Sequence, residues 1–563
     1  MENNSLTKEI VKAFSISIVA LMLIPGVAYF FSRYVLSTYR LNRSDFYQFD
    51  LVHTTSFWLL AGSVAVLVAI IALALLAFSN RRIQYGSFVI GWRLLMLLCV
   101  VELIVQGILL TWLSFWVTAV FSGKYFPKLI LIVALMVGGG VFYAILSMFK
   151  KLPRESAIDG VMLSRVDAPV LWKHIENIAS KMNTAPPDHI FTGIDANFFV
   201  TESPLIVNGQ KITGRTLFIS IPLLRILSRE EADSVLAHEL NHFRGGDTRN
   251  SAALGPKLQK CDYYLYQMYE NGFTRVVYYP LNFYRLMFEI ALQRESRSRE
   301  FMADKAAAQI VSGKALTHSL IKIAAYASYR NQVEGKLFEH DQRHEGDLGI
   351  AAKVVQGLHS YAHSHQFLDH MKQSNVPHPF DSHPLLTERM ANVDFQVGSE
   401  QFSLIVTEKP AFTWVDDIPV ADNMEQQQWQ IYEQNFAAEH ERMLAYRYEP
   451  AGPEQVAIVL KYFPDQVFNL KKDQSVTVSY HGILSPEGDL YTWDSIQNMQ
   501  YADGTLSDTL TLTVSQPEGK KKNTNIKLAG IKAQRDALKE ALGMFNHRHA
   551  VMREMQAAAR KDD

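Results

Sequence analysis

The stretch Ser228–Asp247 reads S-R-E-E-A-D-S-V-L-A-H-E-L-N-H-F-R-G-G-D, and three of its residues could do chemistry together. His238 and His242 stand four apart, a spacing that brings both imidazoles to one helix face, where two nitrogens can grip one zinc ion. Glu239 lies beside them and can reach a water at the metal rather than the metal itself. This H-E-x-x-H constellation is that of a metallopeptidase with a glutamate general base. The helix that must carry it is marked at both ends. Ser228 followed by Glu231 forms a capping box, and Gly245 and Gly246 supply a stop. Ala232, Val235, Leu236, Leu240 and Phe243 make most of this helix apolar, so it should be buried. Two buried imidazoles and a carboxylate need partners, and a metal satisfies all three. Two solvated histidines would carry the same five letters without needing that apolar face.

A catalytic zinc takes a third protein ligand and leaves one position open for water. The candidate is Glu300, in the alanine-rich stretch Ser296–Ala308, S-R-S-R-E-F-M-A-D-K-A-A-A. Glu300 and Asp304 share a helix face at i, i+4. Glu300 could bind the metal while Asp304 receives the outer N–H of a ligating histidine and fixes its tautomer. The alternative is a solvated helix laced with ion pairs, since Arg297, Arg299 and Lys305 are adjacent.

H-E-x-x-H after membrane spans, followed by S-R-x-x-E-x-x-A-D, resembles the membrane gluzincins of peptidase family M forty-eight. That family includes HtpX and the CAAX prenyl endopeptidases. The resemblance covers roughly Ser156–Val397. It implies His238, His242 and Glu300 as zinc ligands, Glu239 as general base and Asp304 as the residue orienting a ligand. Asp247, five residues after His242, also matches a family position. Asn197–Phe198–Phe199 resembles the family's N-A-F strand, which binds substrate backbone as an edge strand, with Phe198 replacing the small residue. His383–Pro384 with Arg389 resembles the H-P…R element, whose histidine or arginine can stabilise an oxyanion. His340, His344, His359, His363, His365, His370 and His378 crowd the same region, and most of them read as solvated.

The elements around these residues divide the 563-residue chain unevenly. Four apolar runs, Phe14–Phe31, Ser56–Phe78, Leu94–Val117 and Leu129–Met148, approach or exceed the ~20 residues needed to cross a bilayer. The first contains Pro25 and reads as a retained anchor rather than a cleaved leader. The third contains Glu102, an acid that would seek a partner at membrane depth. Gly138–Gly140 in the fourth permits close helix contact. Four spans put both ends on one side. Loops on that side hold Lys8, Lys12, Arg81, Arg82, Arg93, Lys150, Lys151 and Arg154, 8 basic residues; the other side holds Arg33, Arg40, Arg43, Lys124 and Lys128, 5 in all. That asymmetry puts the peptidase region in the cytoplasm. The compact HtpX pattern has two spans before the peptidase region, where four are counted here. Val276–Leu292 is apolar but carries Arg285 and Glu289, and reads as a membrane-facing or core helix, not a span.

The expected fold is mainly α. A bundle of about four transmembrane helices (1–152) precedes a mostly helical zincin-type domain with a small sheet (156–397). A linker with a polar helix (398–448) leads to a small β-rich domain closed by a helix (449–563), faintly like a pleckstrin-homology domain. Within these, Val170–Met182 reads as helix, and Ala196–Val207 and Arg215–Ser220 as strands joined through Asn208–Gly209 and Gly214. Met424–Tyr446 reads as helix. Val456–Phe463, Ser475–Tyr480, Leu490–Trp493, Thr509–Val514 and Thr524–Leu528 read as strands, followed by a helix from Ala533 to Ala559.

Composition narrows the function. A net charge of −1 lacks the basic excess that whole-surface attraction to nucleic acid requires. Two cysteines, Cys99 and Cys261, exclude a disulfide framework and a thiolate-rich metal site, so a metal must be held by His, Asp or Glu. The expected activity is that of a membrane-anchored zinc endopeptidase carrying one catalytic ion. It would act in contact with membrane lipid, on protein or peptide substrates in or near the bilayer. A scaffold with a vestigial site, recruiting partners through its C-terminal domain, and a prenyl-peptide processor are the rival readings. The intact Glu239 speaks against the scaffold, because holding zinc does not require it.

Overall fold

A computed structural model of the chain describes residues 2–150, 156–344, 346–373, 383–504, 507–515 and 520–562. Lys151, Arg154 and His378 lie outside them. The chain is mainly helical, with small sheets in its middle and C-terminal regions. Its contacts group it into two units, residues 1–329 with 356–426, and residues 330–355 with 427–563.

The first unit opens with four long helices, α1 (Glu2–Thr38), α2 (Arg43–Ala77), α3 (Arg81–Ser122) and α4 (Pro127–Met148). Each is long and apolar enough to cross a membrane, and the protein is an integral membrane protein. Pro25 lacks the N–H that would bond the Leu21 carbonyl within α1. That carbonyl instead accepts from Ser63 Oγ of α2 at 3.2 Å and from Gln106 Nε2 of α3 at 3.0 Å. Glu102 finds its partners in the same two side chains, each 3.4 Å away. The proline of the first span and the acid of the third thus belong to one polar junction of three helices.

After the bundle come β1 (Ser156–Ile158), β2 (Val161–Met162), α5 (Pro169–Lys181) and β3 (His189–Gly193), then β4 (Phe199–Thr201), β5 (Leu205–Val207), β6 (Gln210–Ile212) and β7 (Thr216–Ser220). One sheet runs β2-β3-β7-β4 and the other β1-β5-β6. The expected strand 196–207 is therefore broken. β4 and β5 belong to different sheets, with Pro204 between them, a residue that cannot donate to a ladder. The Asn208–Gly209 turn does close a hairpin, β5–β6, with φ of 49° and 77°.

Helices α6 (Ile221–Ile226), α7 (Arg229–Arg244), α8 (Asp247–Glu270), α9 (Arg275–Ile310) and α10 (Gly313–Glu339) follow. Leu254, Cys261, Tyr264 and Met268 of α8 and Val277, Leu281, Tyr284 and Phe288 of α9 share one buried cluster with Leu67, Ile70, Phe88, Trp92 and Leu95 of the bundle. Val276–Leu292 is thus a core helix packed on the spans. At the α8–α9 turn Phe273 meets Gly140 of α4, where an added Cβ would stand 3.2 Å from the Phe273 Cβ. The close approach expected of the glycine run occurs at Gly140. α9 is one continuous helix of 36 residues with Pro280 in its second turn, about 54 Å long, and its first half packs against the bundle.

The chain continues through α11 (Ile350–Ala362), α12 (His365–Gln373), α13 (Leu386–Asn392), α14 (Phe402–Thr407) and α15 (Ala421–Arg447). In the second unit α16 (Pro453–Tyr462) precedes a sheet of order β11-β10-β9-β8, made of β8 (Gln466–Asn469), β9 (Ser475–Val478), β10 (Gly482–Leu484) and β11 (Leu490–Thr492). A sheet β12-β13-β14 follows, of Ile496–Ala502, Asp508–Ser515 and Lys521–Leu528, and then α17 (Arg535–Asp562). Of residues 456–463, expected as a strand, 456–462 are helical and Phe463 is the C-cap. Pro453 sits in the first turn, where its fixed φ suits a helix, and the buried positions Ile458, Val459 and Phe463 keep helical spacing. A short apolar run of β-branched residues does not by itself distinguish the two states.

Candidate metal centre

The motif helix α7 begins as its letters require. Ser228 Oγ accepts from the Glu231 N–H, and the Glu231 carboxylate accepts from the Ser228 N–H at 2.7 Å. Glu231 is buried and also takes a hydrogen bond from Lys322 Nζ of α10 at 2.8 Å; Lys322 is 1% exposed. Burial alone would raise the Glu231 carboxyl, but His318, its Nδ1 3.7 Å away, and the Lys322 charge outweigh it and hold it below the usual range.

Two turns further on, His238, His242 and Glu300 converge. His242 Nε2 lies 3.4 Å from His238 Nε2, and the Glu300 oxygens lie 3.5 Å from each of these nitrogens. The three form the group of His, Asp and Glu donors able to share one ion among the described residues. Their near-equal separations match the edges of a tetrahedron whose centre stands ~2.1 Å from each donor, the distance zinc takes to nitrogen and oxygen. The donor set is chemically suited as well, two imidazoles and one carboxylate with no thiolate.

Behind each imidazole stands a carboxylate, and behind each carboxylate an arginine. His238 Nδ1 is 3.0 Å from Asp304 Oδ1. Asp304 is fully buried and accepts two bonds from Arg389, at 2.9 and 2.6 Å. His242 Nδ1 is 3.2 Å from Asp247 Oδ2, and Asp247 Oδ1 accepts from Arg81 at 2.5 Å, with Arg299 at 3.5 Å. For His238, burial lowers the imidazole, yet Asp304 and Glu300 raise it to about 9. Burial pushes Glu300 up, and the nearness of His238, 3.5 Å away, with the hydrogen bond from His383 overcomes that, holding it far below the usual carboxylate range. Glu239 is half-buried beside this set. Burial raises its carboxyl, a shift that His238 and His242 only partly offset.

Of the other residues singled out from the sequence, His383 lies at the site, its Nδ1 2.9 Å from Glu300 Oε2 and its side chain 67% exposed. Arg389 does not face open space, because two of its donors are committed to Asp304. β4 is an edge of its sheet, paired with β7 and packed beside α7 and α8. Just before it Asn197 is exposed, whereas Phe198 is 6% exposed with its ring toward Trp414. His340, His359, His363, His365 and His370 are exposed, as their sequence context suggests. Sequence reading passed over Arg81, Arg299 and Lys322 as site residues. Arg299 stands inside the S-R-x-x-E stretch, which was a usable signal; the other two lie in remote segments.

A paired-histidine helix with a carboxylate from a second helix, rooted in a bundle of membrane-length helices, is the arrangement of membrane metallopeptidases. Residues 203–396 match Peptidase family M48, and several proteases of the HtpX type are similar to this chain. Protease HtpX homolog 1 of Sulfurisphaera tokodaii is 30% identical over 102 residues, covering 17% of this chain and 30% of that protein. A Protease HtpX homolog of Thermococcus kodakarensis is 28% identical over 195 residues, 31% of this chain and 63% of that protein. Protease HtpX of Vibrio campbellii is 24% identical over 228 residues, 37% and 75%. The chain thus spans between 30% and 63% of the length of the first two. No solved structure matches. Together the matches support a protease similar to the HtpX proteases, the likeness lying over residues 203–396.

Proposed function

We propose that this protein is a zinc endopeptidase that hydrolyses peptide bonds of membrane or membrane-proximal proteins. The observation that carries the reading is the convergence of His238, His242 and Glu300 with Glu239 beside them, outside the donor set. When bound, zinc supplies Lewis acidity, acidifying a water toward neutrality and polarising a carbonyl. The rest falls to side chains. Glu239 takes the proton of the attacking water on its carboxylate and returns it to the leaving amine nitrogen. A carboxyl raised by burial is closer in proton affinity to the groups it exchanges with, which suits both transfers. Asp247 holds the outer nitrogen of His242 by a hydrogen bond and Asp304 stands 3.0 Å from that of His238, which favours both Nε2 atoms pointing inward. The free edge of β4, with exposed Asn197 at its start, offers backbone to an extended peptide. His383 stands exposed at the mouth, where an oxyanion donor is needed. The basic-residue asymmetry around the spans favours a cytoplasmic peptidase region.

The test uses the full chain purified in detergent. Wild type should hold one zinc per chain and cleave an unfolded protein. Glu239→Gln should keep its zinc and lose on the order of a hundred- to ten-thousand-fold in rate. A Glu239→Gln protein cleaving near the wild-type rate would refute the mechanism.

A further inference from the structure

Arg81 opens α3, immediately after the Phe78–Asn80 turn that joins the second and third membrane helices. Its backbone is pinned there because Asn80 caps the helix, accepting from the Ile83 N–H at 3.1 Å. From that position the guanidinium reaches the far end of the motif helix. Nη1 donates to the Gly245 carbonyl at 3.2 Å and to Asp247 Oδ1 at 2.5 Å, and Nη2 donates to the Gly246 carbonyl at 3.3 Å. The Gly245 carbonyl lies at the C-cap of α7, the negative pole of its dipole, where a cation is favoured, and the Gly246 carbonyl belongs to the N-cap of α8, where it also accepts from the Asn250 N–H. The second carboxylate oxygen of Asp247 is the one that faces His242 Nδ1.

We propose that Arg81 is a positioning residue through which the loop between the second and third membrane helices fixes His242 as a metal ligand. The zinc affinity of the peptidase region then depends on the seating of the membrane bundle. The inference rests on the zinc-peptidase reading above. With Oδ1 held by Arg81, Asp247 presents Oδ2 to Nδ1, which keeps the proton on Nδ1 and leaves the Nε2 lone pair aimed at Glu300 and His238. Arg299 also contributes positive charge to Asp247, at 3.5 Å, but makes no bond to the two glycine carbonyls. Arg81 therefore supplies what Arg299 cannot, a planar fork that ties the end of α7 and the carboxylate to one point. The contact is partly shielded from salt, with Arg81 25% and Asp247 9% exposed at the side chain.

The experiment measures zinc retention by the full chain in detergent against a graded chelator, for wild type, Arg81→Ala, Arg81→Lys, Asp247→Asn and the double variant Arg81→Ala/Asp247→Asn. Arg82→Ala, at an exposed neighbour, is the control for loss of one positive charge from the same turn. Arg81→Ala should weaken zinc binding ten- to a hundredfold, the range seen when a group supporting a ligand is lost. Arg81→Lys should recover only part of that, and Arg82→Ala should match wild type. The double variant should lose little more than Asp247→Asn alone. Thermal unfolding of the zinc-free proteins should coincide, which separates positioning from misfolding. Wild-type retention in Arg81→Ala, or a fully additive loss in the double variant, overturns the proposal. A wild-type chain that holds no zinc would instead overturn the reading beneath it.

Discussion

A buried ion pair holds the start of the motif helix, and its two partners come from distant places in the chain. Lys322 and Glu231 are 91 residues apart in sequence and 2.8 Å apart in space. Lys322→Met removes one partner and leaves the other charge buried, which should cost ~3–5 kcal/mol, measured as a lower midpoint of thermal unfolding. The same pair sets an acid sensitivity. Because the folded Glu231 carboxyl is held below its unfolded value, its contribution is complete above the unfolded pKa of about 4.3 and lost as pH falls through the folded value. Glu231→Gln should flatten that part of the stability–pH curve below about pH 4.3, and an unchanged acid limb would assign the loss to other groups. The legibility of the site follows the same logic of distance. His238, Glu239 and His242 could be read directly because one helix turn brings them together. Asp247 and Asp304 were within reach through their spacing from a candidate ligand. Arg81 and Asp247, 166 residues apart, and Arg389 and Asp304, 85 apart, meet only through the fold, and no local pattern announces such a pair.

At the scale of elements, α9 does two jobs that depend on its being one rigid rod. Its first half buries Val277, Leu281, Tyr284 and Phe288 against the bundle, and its second half presents Glu300 and Asp304. Each helical residue advances about 100° and ~1.5 Å. One alanine inserted after Ala291 should therefore leave the apolar half seated and rotate Glu300 away from the two histidines. The expected outcome is a membrane-inserted protein with zinc occupancy sharply reduced; full occupancy would mean that α9 bends or repacks to compensate. Periodicity revealed both halves of this helix in the sequence, but not that they were continuous, since Arg285 and Glu289 interrupt the apolar pattern. Those charges are answered locally, with Arg285 bonding Asp262 at 2.8 Å and Glu289 at 2.5 Å. The misread stretch 456–463 shows the converse limit. A run such as V-A-I-V-L satisfies strand and helix alike, and Pro453 with the spacing of Ile458, Val459 and Phe463 decides between them only in three dimensions.

At the scale of the molecule, the second unit poses the question of where an independently folding domain begins. The turn at Pro453 and the strands beyond it suggest a start near Glu449. The core points further back, because Leu444 and Ala445 of α15 are fully buried in the cluster that contains Val476, Ile483, Leu510 and Phe545. Arg548 of α17, 2% exposed, donates to the carbonyls of Ala445 at 2.9 Å and Tyr448 at 2.5 Å. Cutting at 449 removes both acceptors and leaves a buried guanidinium without them, a loss of several kcal/mol. It also opens a hole where Leu444 sat, worth ~2–5 kcal/mol by analogy with buried leucine truncations. Together these are comparable to the ~5–15 kcal/mol total stability of a domain. Residues 427–563 retain the whole cluster and should unfold in one cooperative thermal transition, whereas 449–563 should show a broad or absent one. Equal transitions for the two fragments would mean that α15 only abuts this core and that the domain begins at Glu449.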